Sequence, residues 1–77
     1  MRKISVSLDS IDKVKKFVNK IARYDGDFDL AAERFIVDAK SIMGIFSLDL
    51  SAPLVLNVHD EDAYDKVVED FAEFITK

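Results

Sequence analysis

The chain predicts an open-faced α+β sandwich: an antiparallel sheet of four strands, covered on one side by three helices, in the order βαββαβα. Three observations lead there. Two runs, residues 3–8 and 54–59, alternate apolar and polar side chains as half-buried strands do. Two others, 11–21 and 64–75, repeat apolar residues at three-and-four spacing, as helices with one apolar face do. Single-faced helices and single-faced strands bury most surface when the helices gather on one side of the sheet.

The size suits one domain. No linker-like stretch interrupts residues 1–77, and 49% hydrophobic with 34% charged residues is a globular balance. A domain this short buries only about 60% of its unfolded surface, so nearly all of its apolar residues are needed in one core. Without cysteine, neither a disulfide nor a thiolate metal site staples the chain, and a reducing compartment is expected. The run Met1 to Ser7 is too short in apolar residues for a signal peptide, and no later run approaches a membrane span, so a cytoplasmic protein away from the membrane is expected. A net charge of −4 argues against nucleic acid, whose phosphates call for clustered Lys and Arg.

In the first strand Ile4, Val6 and Leu8 face inward, opposite Lys3, Ser5 and Ser7. Asp9 and Ser10 supply capping oxygens for the first helix, with Ile11, Val14, Phe17, Val18 and Ile21 on its apolar face. It is expected to close near Tyr24, with Asp25-Gly26 as the stop. Residues 27–39 fit two patterns: Phe28, Ala32, Phe35 and Ala39 suit a helix, while Phe28, Leu30 and Ala32 suit a strand. The β-branched and aromatic cluster Phe35-Ile36-Val37 favours a hairpin turning around Ala32-Glu33-Arg34.

Ser41 is a suitable N-cap for a short, almost wholly apolar helix from Ile42 to Leu48. Leu54, Leu56 and Val58 point inward from the last strand. Asp60 to Asp62 open the final helix, which carries Tyr64, Val67, Val68, Phe71 and Ile75 on one face. No glycine-rich phosphate loop, metal-ligand cluster or catalytic motif is present, so a non-catalytic protein without cofactor or metal is expected. His59, the single histidine, reads as a partly exposed strand residue with no activating partner at this spacing.

The segment Ala39-Lys40-Ser41-Ile42-Met43-Gly44-Ile45-Phe46-Ser47-Leu48 closely resembles the regulatory-serine region of HPr phosphocarrier proteins of the phosphoenolpyruvate sugar phosphotransferase system, particularly the Gram-positive type. Element order and lengths agree with that family along essentially the whole chain. The resemblance implies the HPr-like open-faced sandwich and decides residues 27–39 in favour of two strands. It also implies what is missing. The family carries phosphate on a histidine at the start of the first helix, where imidazole nucleophile, helix N-terminus and a nearby arginine cooperate. Here Ser10 stands near that position within Leu8-Asp9-Ser10-Ile11-Asp12-Lys13-Val14, and His, Arg and Pro are all absent from it. The phosphohistidine relay is therefore expected to be lost.

In the resembling proteins the serine matching Ser41 is phosphorylated by an ATP-dependent serine kinase. Ile42, Met43 and Phe46 match the family's apolar docking patch for that kinase and for a transcriptional regulator, with Ile45 and Leu48 expected to close the core below. Asp49 stands where the family usually has glycine after this helix; aspartate adopts the left-handed cap conformation less easily, and the fold is expected to survive the change. Lys13, Lys16, Lys20 and Arg23 form a basic stripe on the first helix, matching a surface that receives acidic partners in the family. The last helix carries Asp65, Glu69, Asp70 and Glu73 as an opposed acidic field. The expected function is that of a regulatory or binding relative of HPr, similar to its catabolite-repression homologues, working through protein partners and Ser41. The alternative is a diverged interaction module with an unrelated partner. A monomer is the default, while the short connection after the first strand permits exchange of that strand between two protomers.

Overall fold

The computed structural model describes residues 2–76. Strand β1 spans Arg2–Val6, helix α1 Ile11–Ile21, β2 Phe28–Ala32, β3 Phe35–Asp38, α2 Ile42–Phe46, β4 Leu54–Val58 and α3 Tyr64–Asp70. The sheet order is β1-β4-β2-β3 with every neighbouring pair antiparallel. Residues 27–39 do form the hairpin, with Glu33 and Arg34 as its turn.

The register explains which side is covered. Ile4 lies opposite Leu56, Leu56 opposite Leu30, and Leu30 opposite Val37, so one row of apolar side chains crosses all four strands on the helix-bearing face. Val6, Leu54, Phe28 and Val58 join that face and are buried with Leu8. Above it α1 contributes Val14, Phe17 and Ile21, α2 Ile45 and α3 Val67, with Phe71 and Phe74 following. Phe17 meets the rings of Phe71 and Phe74 edge-on, at centroid distances of 5.3 and 5.7 Å, geometries that suit the ring quadrupoles. The opposite face carries the row Lys3, Asn57, Asp29, Asp38 and the row Ser5, Val55, Ala31, Ile36.

Several expectations are corrected. Ile11 does not share the apolar face of α1; it is 62% exposed, because the first helical residue lies beyond the edge of the core that Val14 reaches. α1 closes at Ile21, with Ala22 as a right-handed cap, and turns through Tyr24 before Gly26 takes φ +94° in the link to β2. Helix α2 ends at Phe46, not Leu48, although Ile45 and Leu48 are buried as expected. Asp49 adopts no left-handed conformation: Glu33, at φ 50°, is the sole non-glycine residue with positive φ among those described. Asp49 instead accepts hydrogen bonds from the Ser51 backbone N–H at 3.0 Å and the Ser51 hydroxyl at 2.6 Å, closing a turn without strained backbone.

The last helix is also shorter than its periodicity suggests. A tight turn over Glu61–Ala63, capped by Asp60, precedes α3, and another over Ala72–Phe74 follows it. Ile75 leaves the helical face and pairs with Val6 in an isolated antiparallel bridge. The change of course puts Phe74 in the core. Among the described residues, no helix is long and apolar enough to cross a membrane.

Candidate functional site

Helix α2 and its cap form the surface that the sequence singles out. Ser41 has extended backbone (φ −98°, ψ 106°), and its hydroxyl oxygen accepts the Gly44 N–H at 3.1 Å while its carbonyl accepts the Ile45 N–H at 3.0 Å. The first bond satisfies an amide that a helix start leaves free, and the second is the first bond of the helix itself. The absence of a side chain at Gly44 permits this packing. A Cβ there would lie 3.2 Å from both Ser41 Oγ and Val37 Cβ. Ser47 closes the other end, its hydroxyl donating to the Gly44 carbonyl at 2.5 Å.

Ile42 is half-buried against the core, and Ile45 is fully enclosed. Met43 is 78% exposed and Phe46 41% exposed. The helix thus divides its four large apolar side chains between anchoring and display. A flexible thioether beside an aromatic ring is a contact pair that adapts to differently shaped partners. Lys40, just before the cap, donates from Nζ to the Tyr24 carbonyl at 2.6 Å and lies over the Phe28 ring, tying this segment to the end of α1.

Ser10 has the same local geometry in different surroundings. Its hydroxyl accepts the Lys13 N–H at 3.1 Å at an exposed helix start flanked by Asp9 and Asp12. Lys13 Nζ lies 3.0 Å from Asp9 Oδ1, and that cation holds the Asp9 carboxyl below its ordinary range, first by hydrogen bond and then by charge.

The basic stripe is not an uninterrupted free surface. Lys13 is engaged by Asp9, and Lys20 reaches Glu73 at 3.8 Å and donates to the Asp70 carbonyl at 2.8 Å. The acidic field of the last helix therefore meets the stripe instead of opposing it. Lys16 is without such a partner among the described residues.

Where the two fields meet, Lys20, Arg23, Tyr24, Lys66 and Asp70 line a cleft of about 330 Å³. The Tyr24 hydroxyl donates to Asp70, and Lys66 lies over the Tyr24 ring. Burial, reinforced by the Asp70 carboxylate, pushes the Tyr24 hydroxyl up to about 12. This cleft joins two helices whose charges were each visible in the sequence but whose contact was not.

His59 is not partnerless. Its Nε2 lies 2.7 Å from Asp29 Oδ2, across the open face from the helices. Asp29 is thirty positions away and enters reach through the pairing of β2 with β4. The alternation of β2 placed Asp29 outward, but only the strand order makes the two side chains neighbours. Asn57, on the same face, is buried with its Oδ1 lacking a partner among the described residues. No group of three or more metal-ligating side chains occurs among the described residues.

No family model matches the chain, and no curated protein matches it. Among solved structures, it is similar to the crystal structure of HPr-C-His from Thermoanaerobacter tengcongensis, with a TM-score of 0.73 and 24% identity. The likeness covers 95% of this chain and 92% of that one. An HPr-like fold is thereby established.

Proposed function

We propose that this protein is a regulatory or binding member of the HPr group, not a carrier of phosphohistidine, and that Ser41 is its switch. The observation that carries the proposal is on α2: a half-buried serine caps the same short helix that displays the exposed Met43 and Phe46. A serine kinase would transfer the γ-phosphoryl group of ATP to Ser41 Oγ. The new O–P bond replaces the bond to ADP, and the hydroxyl proton passes to the kinase. The product adds about −1.5 to −2 charges at pH 7 next to an apolar contact pair. That charge favours a partner presenting cations beside an apolar pocket and disfavours a wholly apolar one. The proposed partners are a serine kinase and a transcriptional regulator, and the compartment is the cytoplasm.

Loss of phosphocarrier activity follows from residue chemistry. At the start of α1 the hydroxyl of Ser10 is already used as a cap, and Asp9 lies beside it where an incoming phosphoryl group would be repelled. His59 sits on the open face of the sheet, against a carboxylate.

Intact mass after incubation with an HPr serine kinase and ATP tests the proposal. One added phosphate, lost in Ser41→Ala, supports it. No addition beside a working HPr control sinks the switch and favours a diverged module of the same fold. The second reading has its own support, since the Ser41 hydroxyl already serves as a helix cap.

A further inference from the structure

The two edges of the sheet are finished differently. Along β1 the backbone is taken up by the C-terminal segment: the Ser7 N–H donates to the Phe74 carbonyl at 2.7 Å, and the Thr76 N–H to the Ser5 carbonyl at 2.9 Å. The hydroxyls of Ser5 and Thr76 add a side-chain bond at 2.6 Å. Along β3 no further strand follows among the described residues. The Ala39 N–H donates to the Phe28 carbonyl at 2.9 Å, so Phe35, Val37 and Ala39 turn their backbone groups toward β2. Those of Ile36 and Asp38 alternate and point away. Exposed edges are ordinarily blunted by shortness, charge, proline or a bulge. β3 is only four residues long and ends on Asp38, but it carries no proline or lysine, and Phe35 and Ile36 are 68% and 67% exposed.

We propose that this edge pairs with the β3 edge of a second copy of the chain, antiparallel about a two-fold axis through Ile36, making one continuous sheet. The register follows from faces and charges. Matching the two sides of the sheet requires each residue to oppose one of the same facing, which leaves pairings centred on Phe35, Ile36 or Val37. Centring on Ile36 sets Phe35 opposite Val37 and brings Arg34, the turn residue that leads into β3, beside Asp38 of the other copy. Centring on Val37 would set Ile36 against Asp38, and centring on Phe35 would set Arg34 against Ile36, each placing a charge against an apolar side chain. In all three registers the outward N–H and C=O groups meet each other, so the placement of charge selects among them. The paired Arg34 and Asp38 side chains neutralise the seam locally, which matters between two chains that each carry −4. An isologous two-fold contact of this kind closes on itself and does not propagate into fibres.

Sedimentation velocity on the full chain, from micromolar to millimolar concentration, tests the proposal. The expected result is a concentration-dependent monomer–dimer equilibrium. R34D and D38R each place like charges in register and weaken dimerisation by roughly tenfold or more. Mixing the two variants restores it, because each supplies the sign the other lacks. Since Asp38 also accepts the Lys40 N–H at 2.9 Å, folding of D38R is checked by circular dichroism. I36K, which changes an exposed side chain only, is a second route to the monomer. A wild-type chain that stays monomeric to millimolar concentration overturns the proposal. So does a dimer indifferent to R34D, D38R and I36K, as exchange of the first strand would give. The readout does not involve Ser41, so this inference and the proposed function fail separately.

Discussion

The two helix starts at Ser10 and Ser41 are locally almost identical, and the difference between them lies outside the cap. Each serine is extended and accepts the N–H three residues on at 3.1 Å. Around Ser10 the neighbours are Asp9, Asp12 and Lys13, a solvated cluster in which Asp9 and Lys13 already pair. Around Ser41 the turn holds Ile42, Met43 and Phe46 without a charge, and the preceding Lys40 is turned back onto the Tyr24 carbonyl. A phosphate would be one more anion at the first and a change of character at the second. Hydroxyl geometry alone therefore does not mark a regulatory serine; the chemistry of the surrounding turn does.

The helices behind the caps are anchored unequally, and the largest expected effect comes from that. α1 is held by Val14, Phe17 and Ile21, whereas α2 has Ile45 alone fully enclosed. Phe17→Ala should cost about 3–5 kcal/mol. That is a large share of the stability of a small domain, so the whole fold should melt at lower urea. Ile45→Ala should cost about 2 kcal/mol, at the low end for such changes, because a five-residue helix can settle into the space. Equal midpoints in urea denaturation for the two variants would show that α2 is as integral to the core as α1.

The caps themselves give a smaller test. Ser10→Ala and Ser41→Ala should each destabilise by about 1 kcal/mol, the usual cost of losing a capping oxygen. Of the two, Ser41→Ala should be the more costly, since Ser41 is half-buried and water is less able to replace the lost bond. Thermal melts of both variants, with Ser10→Ala equal or worse, would remove burial as the distinction.

Much of this was legible in the chain because short-range pattern determined it. The alternation of Ile4, Val6 and Leu8 and the spacing of Val14, Phe17 and Ile21 locate buried faces, and all six residues are buried. Ser41 and Ser10 announce their caps by residue type and position. What escaped depends on contacts between distant segments. The His59–Asp29 pair exists because β4 lies between β1 and β2. The Lys20–Glu73 pair exists because α1 and the C-terminal segment meet over Phe17. Ile75 fits a helical face by spacing, yet backbone pairing with β1 draws it off that face. Periodicity reports which side of an element is apolar, not where the element stops.

The smallest effect separates two exposed carboxylates that flank the two helices. Asp9, before α1, and Asp49, after α2, both have pKa values lowered from 3.8, but for different reasons. Lys13 lowers Asp9 by a charged hydrogen bond, while the hydroxyl and N–H of Ser51 lower Asp49 through neutral donors. A carboxyl whose folded pKa is depressed contributes stability at pH above its unfolded value. That contribution disappears as pH falls through the folded value, so both act in the acid range below pH 3.8. Salt should distinguish them. At about 1 M ionic strength the screening length is about 3 Å, which weakens an exposed ion pair but leaves a dipolar hydrogen bond largely intact. Carboxyl ¹³C titrations should then show Asp9 returning toward its ordinary value while Asp49 stays low. A salt-insensitive Asp9 would mean that its local backbone, not Lys13, sets its acidity, and Lys13 would be as free to meet a partner as Lys16.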